Sequence, residues 1–318
     1  MSQIKLIRLK LKSGLLSELQ HDTIFGTFCW RMKEILGEEK LVSFLDLYRK
    51  GKPVFIVSNG FLSSDENTEN VFFPNPQIPY KYKSESRNKS EKIVEFLNYK
   101  EKKKISHINL YQLNELLDGK SMDVNIKTVI PKFDEDLRTS VEIDRDTMTA
   151  KKGKLFSYAP KYLNKYLLNV FIKVLDTDSY KDYKCDEILS ETFALGFGKK
   201  KSSGYGEMEV VEIISTFEGF KEPESSTAFI TLSNYLPSVD DKIEEGYYDF
   251  HVKYSKLGEE LSRSSNPFKR PIIFFKPGSI FKTGVQKEYY GRVTKEKEIT
   301  HYPGIVQNGI AFTLRIKI

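Results

Sequence analysis

The ten residues Tyr-Leu-Leu-Asn-Val-Phe-Ile-Lys-Val-Leu at 166–175 decide the fold of the first half of the chain. Their branched and aromatic side chains form the clearest buried-strand pattern in the sequence. Apolar residues at helical spacing follow in Asp186–Ala194. A further strand is predicted from Tyr205 to about Ile214. This part of the chain is therefore predicted as strand, helix, strand.

The residues before it predict the same order. Ile4–Leu11 nearly alternates apolar residues with basic ones, which indicates a strand with one buried face. A helix is expected to begin with Asp22 as its N-cap and to end at Gly37, and a second helix covers about Lys40–Lys50. Pro53–Val57 is a strand candidate. Strand–helix–strand, an insertion and a second strand–helix–strand give a split ferredoxin-like order.

The remaining segments predict an insertion, a linker and a second domain. Ser58 to about Lys104 is a polar insertion with one short helix near Glu91–Tyr99. Phe217–Thr227 is polar and rich in turn residues, as linkers are. Strand-like runs then follow at Ala228–Leu232, Tyr247–Tyr254, Pro271–Phe275 and Ile310–Ile318. We predict an α+β protein with a first domain over 1–218 and a smaller α+β or mostly β domain over 226–318.

The composition limits the possible functions. Hydrophobic residues make up 39% of the 318 residues and aromatic residues 13%, which is enough for packed cores. The two cysteines and four histidines are scattered without metal-ligand spacing, so we expect neither a metal site nor a cofactor. The first residues lack a signal-peptide core, and no apolar run is long enough for a membrane span. A cytoplasmic protein with no membrane partner is expected.

The segment Gly-Phe-Gly-Lys-Lys-Lys-Ser-Ser-Gly-Tyr-Gly at 196–206 is the strongest functional signal. Glycine permits unusual dihedral angles and a close approach of the main chain to a ligand. Exposed amides, hydroxyls and ammonium groups then donate to an anion such as a phosphate. One Gly-x-Gly pair is more typical of an ordinary turn. Two pairs around three lysines and two serines favour a clamp on an RNA backbone.

The spacing of this loop differs from two common nucleotide-binding loops. A Walker loop needs a Gly-Lys-Ser or Gly-Lys-Thr ending at a set interval, which is missing here. A dinucleotide fingerprint needs a third glycine where Lys201 lies, and it follows a strand rather than a helix. Neither nucleotide-binding class is therefore predicted.

A second basic segment supports RNA binding. From Arg145 to Lys173 the chain has seven basic residues and one acidic residue, an excess equal to the net charge of +6 of the whole chain. Phe156 and Tyr158 lie among them and could stack on unpaired bases or belong to the core. The run Lys81–Lys104 is also basic, but in so polar a segment a solvated face is the more typical interpretation.

Three motifs in order resemble the RAMP superfamily of CRISPR proteins. The loop at 196–206 is similar to the glycine-rich loop of that superfamily, between the last helix and last strand of its first domain. His21-Asp-Thr-Ile-Phe-Gly26 is similar to the H-x-D-T-[LI]-F-G segment of one branch, the fourth subunits of type III-A (Csm) effector complexes. Val141–Phe156 resembles the thumb segment of that branch, I-D-R-x-T-x-x-A-x-x-G-x-L-F. Three segments agree with its second domain: Asn234–Ser238, Gly278–Phe281 and Tyr302–Phe312.

This resemblance implies two ferredoxin-like domains in tandem, the second degenerate, in a subunit that caps the 5′ handle of the CRISPR RNA (crRNA). It implies contacts with the large polymerase-type subunit and with a backbone subunit of the Csm complex. It also implies a thumb hairpin, at about 141–156, that inserts at a kink between handle and guide. The expected RNA-binding residues are His21, Arg145, Lys151, Lys152, Phe156, Gly196, Gly198, Lys199, Lys200, Lys201, Ser202, Ser203 and Gly204.

The alternative is a metal-independent RNA-processing endonuclease of the same superfamily. Such enzymes use a histidine as general acid or base, with a tyrosine or lysine nearby. His21 is the only histidine near the expected place, but beside Asp22 at a helix start a structural or RNA-positioning role is more typical. Asp134–Asp136 lies in a charged loop without a metal-ligand frame. We therefore expect a subunit that binds RNA and has no catalytic residues.

Overall fold

The computed structural model describes residues 3–78, 88–120 and 133–318. The α-helices in these ranges are α1 His21–Leu36, α2 Glu38–Arg49, α3 Lys89–Lys104, α4 Leu110–Leu117, α5 Thr177–Asp182 and α6 Cys185–Ala194. None of these described helices is long and apolar enough to cross a membrane.

Strands alternate with these helices in the first half and dominate the second. In order they are β1 Gln3–Leu11, β2 Phe55–Val57, β3 Phe61–Ser63, β4 Phe73–Pro74, β5 His107–Ile108, β6 Asp134–Glu135, β7 Arg138–Ile143, β8 Ala150–Tyr158, β9 Lys161–Tyr162, β10 Leu167–Val174, β11 Met208–Ile214, β12 Ala228–Thr231, β13 Ile243–Tyr247, β14 Phe250–Lys253, β15 Ile272–Phe275, β16 Ile280–Thr283 and β17 Thr313–Arg315. The predicted α+β class is confirmed.

The first sheet is antiparallel and has the strand order β11-β1-β10-β2, with β3 also paired to β10. The helices α1 and α2 connect β1 to β2, and α5 and α6 connect β10 to β11. The helices α1 and α6 contact each other. The strand predicted from the pattern at 166–175 is β10, and it lies inside the sheet, where every residue after Leu167 is buried.

The second sheet is also antiparallel, with the order β13-β16-β12-β17. The strands β14 and β15 pair separately as a hairpin. One apolar core joins the two sheets. Phe171 of β10 and Phe312 are both fully buried, with ring centroids 6.4 Å apart. The domain limits at 218 and 226 fall between β11 and β12, and they stay a prediction.

The first strand is buried on both faces, not on one as predicted. Lys5 is 9% exposed and Arg8 is 5% exposed. The ammonium group of Lys5 pairs with Asp186 at 2.5 Å, and Arg8 pairs with Glu212. The carboxylates of Asp186 and Glu212 neutralise these two cations, which allows both faces of β1 to be buried.

The start of α1 also differs from the prediction. The helix begins at His21, after Gln20, whose side chain makes no capping bond. Asp22 is therefore inside the first turn and is not the N-cap. Its carboxylate is fully buried, pairs with the ammonium of Lys253 at 2.5 Å and accepts a hydrogen bond from Gln307. Both partners belong to the second half of the chain, so this carboxylate joins the two halves.

The segment predicted as a polar insertion contributes to the core. Phe73 is fully buried, with its ring 5.7 Å from that of Phe171. The predicted short helix is longer, as α3. The helix α4 was not predicted, and a capping box between Asn109 and Gln112 fixes its start. Residues 79–87, which belong to both the insertion and the basic run at 81–104, lie outside the described residues.

Candidate nucleic-acid interface

The glycine-rich loop at 196–206 connects α6 to β11 and closes on itself. The amide of Phe197 donates to the carbonyl oxygen of Gly206 at 2.9 Å. All four glycines of the loop have positive φ, from 75° to 87°. A Cβ on Gly206 would lie 2.1 Å from the carbonyl oxygen of Phe197, and one on Gly198 would lie 2.5 Å from the Cβ of Ser17. These two positions therefore require glycine.

The tip of this loop presents donors to solvent. Lys199, Ser202, Ser203 and Gly204 are exposed, and Gly196 is buried at the base of the loop. The amide of Lys199 donates to the hydroxyl oxygen of Ser17 at 3.0 Å, which fixes the loop against residues before α1. Lys201 is half-buried and pairs with Glu259 of the second half, so its charge is partly neutralised.

The predicted thumb is a hairpin of β7 and β8, which pairs with no third strand among the described residues. Nearly all of its residues are exposed, including Arg145 and Lys152 near the turn. The ammonium of Lys151 pairs with Glu142 at 2.7 Å. A two-stranded hairpin is only marginally stable alone, so contacts at its base decide its position.

The base of the hairpin and the glycine-rich loop are in contact. The ammonium nitrogen of Lys200 lies 3.5 Å from the centre of the Tyr158 ring and 4.9 Å from that of Phe156. The two rings are stacked, with centroids 6.3 Å apart. Phe156 remains 47% exposed. The two segments predicted to bind RNA thus form one surface, which we call the loop–hairpin surface: Lys199, Lys200, Ser202, Ser203, Phe156 and Tyr158.

Two residues at this contact were not predicted, Arg138 and Tyr205. The ring of Tyr205 packs edge-on against Tyr158 at 5.8 Å. The guanidinium of Arg138 donates to the hydroxyl of Tyr205 at 3.0 Å and to that of Tyr162 at 3.1 Å. A hydrogen bond between the hydroxyls lowers the pKa of Tyr158 and raises that of Tyr205. Tyr205 could have been identified because it lies inside the glycine motif. Arg138 could have been identified because it is opposite Tyr158 in the register of the hairpin.

His21 lies apart from this surface in a buried position. Its side chain is 0% exposed, and its ring packs edge-on against Phe274 at 6.3 Å. Burial lowers the pKa of His21 to about 4, although Asp22 beside it acts in the opposite direction. A neutral, enclosed imidazole cannot contact RNA in this conformation. We therefore leave His21 out of the proposed RNA surface.

Known proteins similar to this chain are found by comparing structures and not by comparing sequences. No family model matches the sequence, and no curated protein matches it. The fold is similar along its whole length to a chain of the Csm1–Csm4 cassette in complex with pppApA, with a TM-score of 0.61 at 15% identity over 100% of this chain and 99% of that one. It is also similar to a chain of the Csm3–Csm4 subcomplex of the type III-A CRISPR-Cas interference complex, with a TM-score of 0.61 at 18% identity over 100% of both chains.

Csm4 is the component that these two assemblies share. The chain has a Csm4-like fold. The fold is also similar to a chain of the Csm1–Csm4 cassette in complex with cA4, with a TM-score of 0.59 at 16% identity over 99% of this chain and 98% of that chain. The resemblance to type III-A RAMP proteins, inferred from three short motifs, is thus confirmed in the Csm4-like fold of the whole chain.

Proposed function

We propose that the chain is a crRNA-binding subunit of a type III-A CRISPR effector complex and that it binds RNA without cleaving it. The observation that carries the proposal is the contact of Lys200 with Phe156 and Tyr158. It joins the glycine-rich loop to the half-buried ring of Tyr158 and the exposed ring of Phe156. Basic groups beside aromatic faces are the usual surface for single-stranded RNA, because they grip the backbone and stack on bases.

The finer assignment is a cytoplasmic subunit that caps the 5′ handle of the crRNA and bridges the large polymerase-type subunit to a backbone subunit. It is supported by the three motifs and by the composition of the similar assemblies. Csm4 is paired with Csm1 in one and with Csm3 in the other. A protein of this fold therefore has room for two different partners.

We also propose that both halves of the chain are ferredoxin-like. Numbered within each half, the first sheet has the strand order 4-1-3-2, and the second sheet has that same order read from its other edge. In the second half, all of which is described, short 3₁₀ turns and loops stand where the ferredoxin-like order has helices. This fits the degenerate second domain implied by the resemblance.

The absence of cleavage is part of the proposal. The one histidine in the expected place, His21, is fully buried beside Asp22 and has no access to a substrate. A general acid or base must reach the proton that it transfers. The full chain is expected to leave crRNA precursor uncut with or without divalent metal. Cleavage that disappears in His21→Ala would favour the endonuclease instead.

A filter-binding assay tests the proposal. The probes are a crRNA with its type III-A handle and the same RNA without the handle. Contact with about four phosphates of a single strand predicts a log–log salt slope of roughly −3. Alanine at Lys199, Lys200, Ser202 and Ser203 should weaken binding of the handle RNA, whereas alanine at the exposed Lys50 and Lys52 should leave it unchanged. If the loop variant and the Lys50 and Lys52 control bound the handle RNA with equal affinity, the proposal would be contradicted.

A further inference from the structure

A cavity of about 700 Å³ lies where the two halves of the chain meet. Its volume is within the range of small-ligand sites. One wall is the segment 15–20, and a second wall comes from Ala159 and Lys161, which follow the hairpin. His251 and Lys276 of the second half close the third side. The loop–hairpin surface does not use this cavity.

The first wall of the cavity also supports the glycine-rich loop. Ser17 lines the cavity and accepts a hydrogen bond from the amide of Lys199. The carbonyl oxygen of Gly14, one residue before the wall, accepts from the amide of Gly206 at 2.9 Å. Residues Leu15 and Lys161 exchange two backbone hydrogen bonds of 2.9 Å, which join this wall to the second. An RNA backbone held by the loop is therefore adjacent to the cavity.

The lining combines apolar side chains, which we call the floor, with ionisable ones, which we call the rim. The floor is formed by Phe61, Phe72 and Leu168, which are each at least nine-tenths buried. The ammonium of Lys161 lies 5.0 Å from the centre of the Phe133 ring at the edge. The rim also carries four other ionisable residues: Glu18, His107, His251 and Lys276. Lys276 is paired with Asp249.

The two histidines of the rim are in surroundings that favour their neutral form. Burial lowers the pKa of both His107 and His251. A neutral imidazole offers one donor and one acceptor, as the edge of a nucleobase does. A lining that combines aromatic and apolar groups, hydrogen-bonding groups and a cation suits a flat heterocycle attached to a phosphate.

We propose that one nucleobase of the bound single-stranded RNA leaves the stack and enters this cavity. The base lies on the floor of Phe61, Phe72 and Leu168, and Lys161 faces the adjoining phosphate. The inference rests on the proposed function, because the glycine-rich loop must hold the RNA beside the cavity. It adds a base-binding site to a surface that otherwise grips the backbone and stacks exposed bases.

Variants in which the cavity is filled distinguish binding of a base from binding of the RNA backbone. Ala159→Trp and Leu62→Trp each place a large ring in the cavity from a different wall. The control is Val239→Trp, at a position 96% exposed. The probes for fluorescence anisotropy with the full chain are fluorescein-labelled single-stranded decauridylate, decaadenylate and an abasic ribose-phosphate decamer. Thermal melts followed by circular dichroism show which variants are folded. One folded filling variant is enough for the test.

We expect each folded filling variant to bind the two base-bearing decamers about tenfold more weakly than the wild type, since a stacked base contributes on the order of 1–3 kcal/mol. Its affinity for the abasic decamer should match that of the wild type. Unchanged affinity for all probes, or an equal loss for the abasic one, would overturn this inference alone. A wild type that binds neither these decamers nor the crRNA with its handle would overturn the proposed function as well.

Discussion

The ammonium nitrogen of Lys200 lies 3.5 Å from the centre of the Tyr158 ring. Lys200 belongs to the loop between α6 and β11, and Tyr158 ends the second strand of the hairpin. A cation over an aromatic face at an exposed site contributes about 0.5–1 kcal/mol. Together with the contacts of Arg138 and Tyr158 to Tyr205, this contact holds the hairpin against the loop, and it brings an ammonium group beside two rings.

The first prediction concerns the charge at this contact. Replacing Lys200 by alanine removes one cation from the backbone path, so the log–log salt slope for single-stranded RNA should become shallower by about 0.7. Affinity at low salt should fall, and Lys200→Arg should retain most of it. Filter binding at several salt concentrations measures both, with Lys50→Ala as the control. An unchanged slope in Lys200→Ala would count against a phosphate contact.

The second prediction concerns stacking on the hairpin. Phe156→Ala should weaken binding of single-stranded RNA by about tenfold, because a base–aromatic stack contributes roughly 1–3 kcal/mol. The melting temperature should hardly change, since the ring is 47% exposed. The neighbouring Leu155, 70% exposed, is the control, because adjacent strand residues point to opposite faces. Equal losses from Leu155→Ala would indicate a general hairpin effect instead.

The third prediction concerns the ion pair between the two halves. Asp22→Asn leaves the partly buried Lys253 without its counter-ion, and the free energy of unfolding should fall by about 3 kcal/mol. Urea denaturation measures this difference. Asp46→Asn breaks an exposed pair with Arg49 and should cost less than about 1 kcal/mol. If the two substitutions had equal effects, the pair would not be a junction of the fold.

The fourth prediction concerns acid stability. The pKa of His21 is about 4 in the folded chain, chiefly because of burial, against about 6.5 unfolded. The unfolded state therefore binds more protons in this range, and His21 makes stability fall as the pH drops from about 6.5 to about 4. The pKa of Asp22 is lowered from its ordinary value, so its own loss of charge begins below this range.

Urea denaturation across that pH range tests the fourth prediction. His21→Phe should remove up to about 3 kcal/mol of the pH-dependent loss. The exposed His301, changed to phenylalanine, is the control and should leave the profile as in the wild type. A His21→Phe profile as steep as that of the wild type would contradict the assignment.

The local pattern of the sequence was enough to predict the main elements of the first half. Apolar periodicity located β10 and α6, and the glycines located the loop. The segment at 141–156 was identified as a thumb through a motif and not through a buried face, because nearly all of its residues are exposed. The burial of Lys5 and Arg8 was not predicted. A basic side chain in a strand indicates a solvent-exposed face unless the carboxylate that pairs with it is known.

The arrangement of the candidate site could be predicted only in part. The loop and the hairpin were each identified, but their contact depends on tertiary packing between Lys200 and Tyr158. Asp22 was interpreted as a cap because its partner Lys253 lies far along the chain. For the same reason the cavity between the halves had no local signal: its lining comes from several separate segments.

The most direct test of the central claim is photo-crosslinking of bound RNA. A single-stranded RNA carrying 4-thiouridine would be bound to the full chain and irradiated, and the crosslinked peptides would be identified by mass spectrometry. We expect crosslinks from one RNA to both the hairpin at 138–158 and the loop at 196–206. Crosslinks confined to other surfaces, such as the basic helix α3, with neither segment labelled, would contradict the claim that loop and hairpin form one RNA-binding surface.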